Sequence, residues 1–197
     1  MSGDETNSAR RRFLTQATTA IGAVGTGFLL VPFISSMAPS AKARAAGAPV
    51  RADISKLQPG QMIRVEWRGK PVWIVKRTQE ILDKLTEMEP VLADITSEVS
   101  DQPAYAKNAG RSIKPEILVL VGICTHLGCS PTYRPDVAPV DLGEDWQGGF
   151  FCPCHGSKFD MAGRVFRSMP APKNLPVPPY RFISDAEIMI GEDQEVA

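Results

Sequence analysis

All of the histidine and cysteine in this 197-residue chain falls within two short stretches, Cys124-Thr125-His126-Leu127-Gly128-Cys129 and Cys152-Pro153-Cys154-His155-Gly156-Ser157. Nothing else constrains the fold as strongly. A thiol and an imidazole two residues apart, and a second such pair three apart, offer metal donors that serve only if two distant loops meet at one point. Cys124 with His126 and Cys152 with His155 make the two donor pairs, and Cys129 and Cys154 are left over. Tetrahedral zinc is the commoner use of two Cys and two His. Here it would leave two thiols beside the site without a role, and Cys-x-His is not the spacing of zinc knuckles or fingers. A scaffold held by disulfides alone would leave both histidines unused.

Both stretches resemble, almost letter for letter, the cluster-binding motifs of Rieske iron-sulfur proteins, specifically those of the quinol-cytochrome c reductase (cytochrome bc) family. The wider resemblance covers roughly residues 50–190. It implies one two-iron, two-sulfur cluster, with Cys124 and Cys152 on one iron and His126 and His155 on the other. It also implies a disulfide between Cys129 and Cys154 that bridges the loops. Ligand chemistry agrees with that division: thiolate is charged and imidazole neutral, so an added electron belongs on the His-ligated iron. The resemblance gives Ser157 as a donor to a bridging sulfide. It makes Pro170-Ala171-Pro172 a loop covering one side of the cluster, with Met169 where the family usually has Gly. His155 is implied as the ligand that meets the quinol, taking up a proton at its metal-free ring nitrogen as the cluster takes an electron. The plainer readings are a purely structural ligand for His155 and a stiff surface turn for the prolines. Phe159 is a departure, since members of high potential commonly carry Tyr there, its phenol donating to a ligand sulfur.

By the same resemblance the function is that of an electron-transfer subunit of a quinol-cytochrome c reductase, a proton-translocating bc complex. Cytochrome b, a c-type cytochrome and membrane quinol are the implied partners, in a dimeric complex within a lipid bilayer. Rieske ferredoxins and oxygenases typically lack the second Cys of each motif, and a disulfide belongs to an oxidising compartment. The small subunit of an exported arsenite-oxidase-like enzyme is the competing member of the class. Gly156-Ser157, the linker described next and Pro170-Ala171-Pro172 favour quinol oxidation.

Ala9-Arg10-Arg11-Arg12-Phe13-Leu14 looks like a twin-arginine export signal, with Ala9 and Thr15 where Ser or Thr and Lys are usual. A plain basic flank would give the same orientation, N-terminus in the cytoplasm and head in the periplasm of a bacterial inner membrane. From Leu14 to Met37 there is no formal charge. As a helix those residues reach about 36 Å, enough to cross a hydrocarbon layer of about 30 Å. Ala43-Arg44-Ala45 offers a cleavage pattern, so a removed signal competes with a retained anchor. The length of the uncharged run and the resemblance favour the anchor. The chain thus divides into a cytoplasmic N-terminus (1–12), a transmembrane anchor (13–37), a hinge or inert linker of small and polar residues (38–50), and a head (51–197). Residues 1–51 carry six basic side chains against Asp4 and Glu5, a balance of +4, leaving −4 for the rest of a formally uncharged chain. Nothing in that distribution points to nucleic acid.

In the head, Ile63, Val65 and Trp67 alternate with Arg64, Glu66 and Arg68, the period of a half-buried strand, and Gly69-Lys70-Pro71 turns it into a second strand over 72–75. Thr78 is an N-cap for a short helix over 79–88. Residues 96–115 read as irregular. Glu116–Ile123 and Trp146–Phe151 read as strands that deliver the two motifs, and Pro131–Asp145 as an extra surface loop of open role. A hairpin about Ala162-Gly163 and short strands at Ile183 and Glu187–Ile190 follow. The expected fold is therefore mainly β: one N-terminal membrane helix and an antiparallel β-sandwich head, with a small cluster-binding subdomain at about 118–173.

Overall fold

The computed structural model describes residues 3–193 and divides the chain into two compact units at Ala45/Ala46. In the first unit, helix α1 runs Gly3–Ser36 without interruption at Pro32. Its polar side chains are dealt with locally: the hydroxyls of Thr15, Thr18 and Thr26 donate to the carbonyls four residues back at 2.7–2.8 Å. Such bonds suit a helix in a medium that offers no water. Large apolar side chains from Phe13 to Met37 are exposed, and the helix is long and apolar enough to cross a membrane. Ser40 caps a one-and-a-half-turn helix α2 (Ala41–Ala46), its Oγ accepting from the Ala43 N–H at 3.1 Å. Part of the stretch expected as linker is thus helical.

The second unit is β-rich, as expected, and is built from three antiparallel three-stranded sheets. The first joins β1 (Val50–Asp53) to β9 (Glu187–Ile190) and β9 to β8 (Tyr180–Ser184). The second runs β2 (Met62–Trp67), β3 (Lys70–Lys76), β4 (Ile117–Val121). The third runs β5 (Thr132–Arg134), β6 (Gly149–Phe151), β7 (Lys158–Phe159). In β2 the expected alternation holds, with Arg64 and Glu66 exposed and Trp67 buried. The β2–β3 turn lies one residue earlier than the sequence indicated. Arg68 and Gly69 both have positive φ (53° and 68°), the two-residue hairpin form whose twist matches that of the strands. Strand β4, buried at all five residues, pairs only with β3, yet both its faces are covered. Thr78 caps α3 (Gln79–Glu87), accepting from the Ile81 N–H at 3.3 Å.

Two elements differ from expectation. The loop 131–145 opens as a strand, because Thr132–Arg134 pairs with Gly149–Phe151. Trp146 does not extend β6: its indole is buried, stacks on Phe166 at 6.0 Å and donates to the Arg134 carbonyl at 3.2 Å. The loop is therefore closed at its base and plugged from within by Trp146 and Leu142.

Candidate metal centre

The first motif leaves β4 through Gly122. A Cβ there would stand 2.2 Å from the Trp73 ring, so only glycine lets the chain pass the indole on its way to Cys124. Trp73 is itself fixed by stacking on Phe150 of β6, at 5.1 Å between ring centroids. The second motif leaves β6 directly at Cys152 and returns into β7 after Ser157. One aromatic contact thus ties β6, which carries the second loop, to β3, the ladder partner of the strand that carries the first.

Both loops are built alike. In the first, the Cys124 N–H donates to the Cys129 carbonyl (2.7 Å) and the Gly128 N–H to the Cys124 carbonyl (3.1 Å). In the second, the Cys152 N–H donates to the Ser157 carbonyl (2.8 Å) and the Gly156 N–H to the Cys152 carbonyl (2.9 Å). Gly128 (φ 84°) and Gly156 (φ 78°) make the reversals in the left-handed region that glycine enters at least cost. A Gly four residues after the first Cys of each motif was the sequence signal for this shared turn.

Cys129 and Cys154 form a disulfide that joins the loops across 25 residues of sequence, the pairing the resemblance implied. Cys124 and Cys152 are free thiols, each 2% exposed. The Cys152 sulfur lies within 4.8 Å of both disulfide sulfurs. Those two are bonded to one another, so that trio is not itself a ligand set. The imidazoles of His126 and His155 meet edge-on, centroids 4.7 Å apart. His155 is exposed and His126 half-buried. Burial pushes the Cys124 thiol up; the His126 backbone N–H opposes this, the Cys152 side chain adds to it, and the Ser157 hydroxyl opposes it more weakly.

Ser157 is fully buried, and its Oγ accepts from the Ala171 N–H at 3.1 Å. Thr125, between Cys124 and His126, donates its hydroxyl to the Lys173 carbonyl at 2.6 Å. The segment Pro170-Ala171-Pro172 is in this way lashed to both loops. Thr125 had no distinguishing signal in the sequence, since a lone Thr in a loop is ordinary. Met169 packs partly buried against the core, and the positive φ falls one residue earlier, at Ser168 (58°).

The site can be tested against the group it was read to hold. His126 Nδ1 is buried without any hydrogen-bond partner. An imidazole nitrogen so placed loses about 1–3 kcal/mol unless something occupies it. With two buried thiols and a second imidazole alongside, and with the remaining cysteines consumed by the disulfide, the donor set fits a centre of two sulfur and two nitrogen ligands.

These features define a class. A family model described as the Rieske [2Fe-2S] domain matches residues 49–179, and the chain belongs to that family and carries its [2Fe-2S] cluster. Residues 1–40 match a second model, described as the ubiquitinol-cytochrome C reductase Fe-S subunit TAT signal. Among curated relatives, the ubiquinol-cytochrome c reductase iron-sulfur subunit of Allochromatium vinosum is 62% identical over 98% of this chain and 94% of its own length. The subunits of the same name from Bradyrhizobium diazoefficiens and Blastochloris viridis are 46% and 45% identical, over 92% and 96% of this chain and 94% and 97% of theirs. An N-terminal apolar helix and an export-signal match together fit a membrane-anchored, exported subunit.

Proposed function

We propose that this chain is the electron carrier of a quinol-cytochrome c reductase, taking one electron from membrane quinol and passing it to a c-type cytochrome in a bc complex. The near-complete alignment with relatives of that name carries the reading, and the disulfide-joined pair of loops supports it. Cys124 and Cys152 would hold one iron and His126 and His155 the other. The bound cluster supplies a one-electron store whose charge the ligands and their surroundings tune.

The residues divide the remaining work. His155, the exposed imidazole, meets the quinol and holds a proton at the ring nitrogen that iron does not occupy. His126, half-buried with Nδ1 sealed in, anchors the far side. The His126 backbone N–H and the Ser157 hydroxyl both favour negative charge on the Cys124 sulfur and would in the same way favour the reduced state. The disulfide prevents the loops from parting.

Residues 1–12 are read as cytoplasmic, 13–37 as a single-pass anchor in the inner membrane, 38–50 as a hinge and 51–197 as the periplasmic head, with cluster-binding residues within about 118–173. The basic cluster Arg10-Arg11-Arg12 before the apolar run supports the orientation. The boundary of the two units, at Ala45/Ala46, falls inside the proposed hinge. Cytochrome b is the partner at the quinol end and a second complex half completes the dimer. EPR of the dithionite-reduced protein, with iron and acid-labile sulfide counted, decides the core of this: two irons, two sulfides and a low-temperature signal from the reduced cluster are expected. A colourless protein holding one zinc would overturn it.

A further inference from the structure

Among the described residues, the charged side chains buried in the head are Arg77, Arg111, Arg164 and Asp160. They are not balanced. Arg164 Nε pairs with Asp160 at 2.7 Å, and its Nη1 reaches the half-exposed Glu89 only at 4.0 Å. Arg77 and Arg111 donate to neutral groups alone. Arg77 bonds the carbonyls of Gly110 and Pro115 at 2.8 Å and of Met161 at 3.1 Å. Arg111 bonds the carbonyls of Leu175 at 2.7 Å and Ala162 at 3.2 Å, and Gln102 Oε1 at 3.1 Å. Burial pulls both guanidinium groups down to about 10, with Asp160 the leading opposing attraction, so both are still charged at neutral pH.

The place of this charge matters. Asp160 stands three residues beyond Ser157, and the turn from Asp160 to Arg164 takes up the chain as it leaves the second cluster loop. Arg77 and Arg111 grip that turn at Met161 and Ala162, and Arg111 also grips Leu175, just past the segment that bonds Ser157 and Thr125. An unpaired buried charge is costly to a fold, and backbone carbonyls could have been satisfied by neutral donors. Uncompensated charge in a low-dielectric interior is weakly screened and acts over distance.

We propose that Arg77 and Arg111 tune the redox centre, their uncompensated charge in the core beneath the second cluster loop drawing the electron onto the cluster and raising its potential. The inference rests on the cluster assignment above. The electron is the one quinol supplies, and no bond is made or broken at the arginines.

The test is a redox titration, read by EPR, of the full chain in its complex. Gln102→Glu adds a negative charge beside Arg111 and keeps an oxygen to accept its hydrogen bond, at the loss of the amide N–H that donates to the Ser97 carbonyl. It should lower the equilibrium constant for reduction by about tenfold, which is about 59 mV for one electron. Asp160→Asn removes the buried negative charge at nearly constant shape and should shift the potential the other way. Arg77→Gln should follow Gln102→Glu. If the arginines only brace the turn, Gln102→Glu leaves the potential in place and Asp160→Asn loosens the loop without raising it; either result overturns the proposal. A wild-type protein with no Rieske signal would instead sink the cluster assignment, whereas a normal signal with unmoved potentials removes the tuning role alone.

Discussion

At the scale of single residues, the site turns on which donors reach sulfur. Phe159 is fully buried and lies opposite Phe150 in the β6–β7 pair, so its ring serves as packing. Phe159→Tyr should raise the midpoint potential, because a hydrogen bond to a ligand sulfur favours the reduced form; a bond worth about 1 kcal/mol is within reach of a redox titration. No rise would show that the ring edge does not face the cluster. The two loops were legible as a pair because all Cys and His fall in them, and the Cys129–Cys154 bond followed from the resemblance those motifs carry. Thr125, Gly122 and the arginines were not. Their roles depend on partners 48 residues away at Lys173, on the Trp73 ring and on a turn 51 residues away at Ala162, and no local pattern encodes a distant contact.

At the scale of elements, the strands with a clean period of two or a continuous apolar run were readable, and so was α3 through its Thr78 cap. Strand β5 escaped notice because three residues carry no period; pairing with β6, some fifteen residues on, makes it a strand. The hairpin turn shifted because Arg68, a residue type that seldom does so, takes a positive φ beside Gly69. The junction of β4 with the first loop is the element most exposed to a single change. Gly122→Ala should force Trp73 off Phe150 and destabilise the head by about 1–3 kcal/mol, the ordinary range for overpacking. Urea unfolding measures it, and the variant should also release iron faster. A wild-type midpoint would mean that Trp73 yields without loss.

At the scale of the whole molecule, an apolar helix and a β-rich head are joined through a short segment that contains α2. Prolines at Ala43, Ala45 and Gly47 would remove the backbone N–H and fix φ at each position, the first of them breaking the Ser40 cap. They should slow cytochrome c reduction while leaving the cluster's EPR spectrum unchanged, since they lie outside the head's sheets. Unaltered steady-state turnover would mean that motion about this segment is not required. The two-unit plan was visible in the sequence because an uncharged run is a compositional signal that survives without any knowledge of contacts. The three-sheet arrangement was not, because β1 pairs with β9, from opposite ends of the head.

That last pairing has a mechanical side. The chain coming from the helix enters the head through β1, whose ladder with β9 runs from Val50↔Ile190 to Asp53↔Glu187. A pull along the tether is therefore met first by the backbone bonds of one terminal sheet, while the cysteines and histidines hang from strands of the other two. Traction on the leash therefore loads the terminal sheet before it reaches the sheets from which the two motif loops leave.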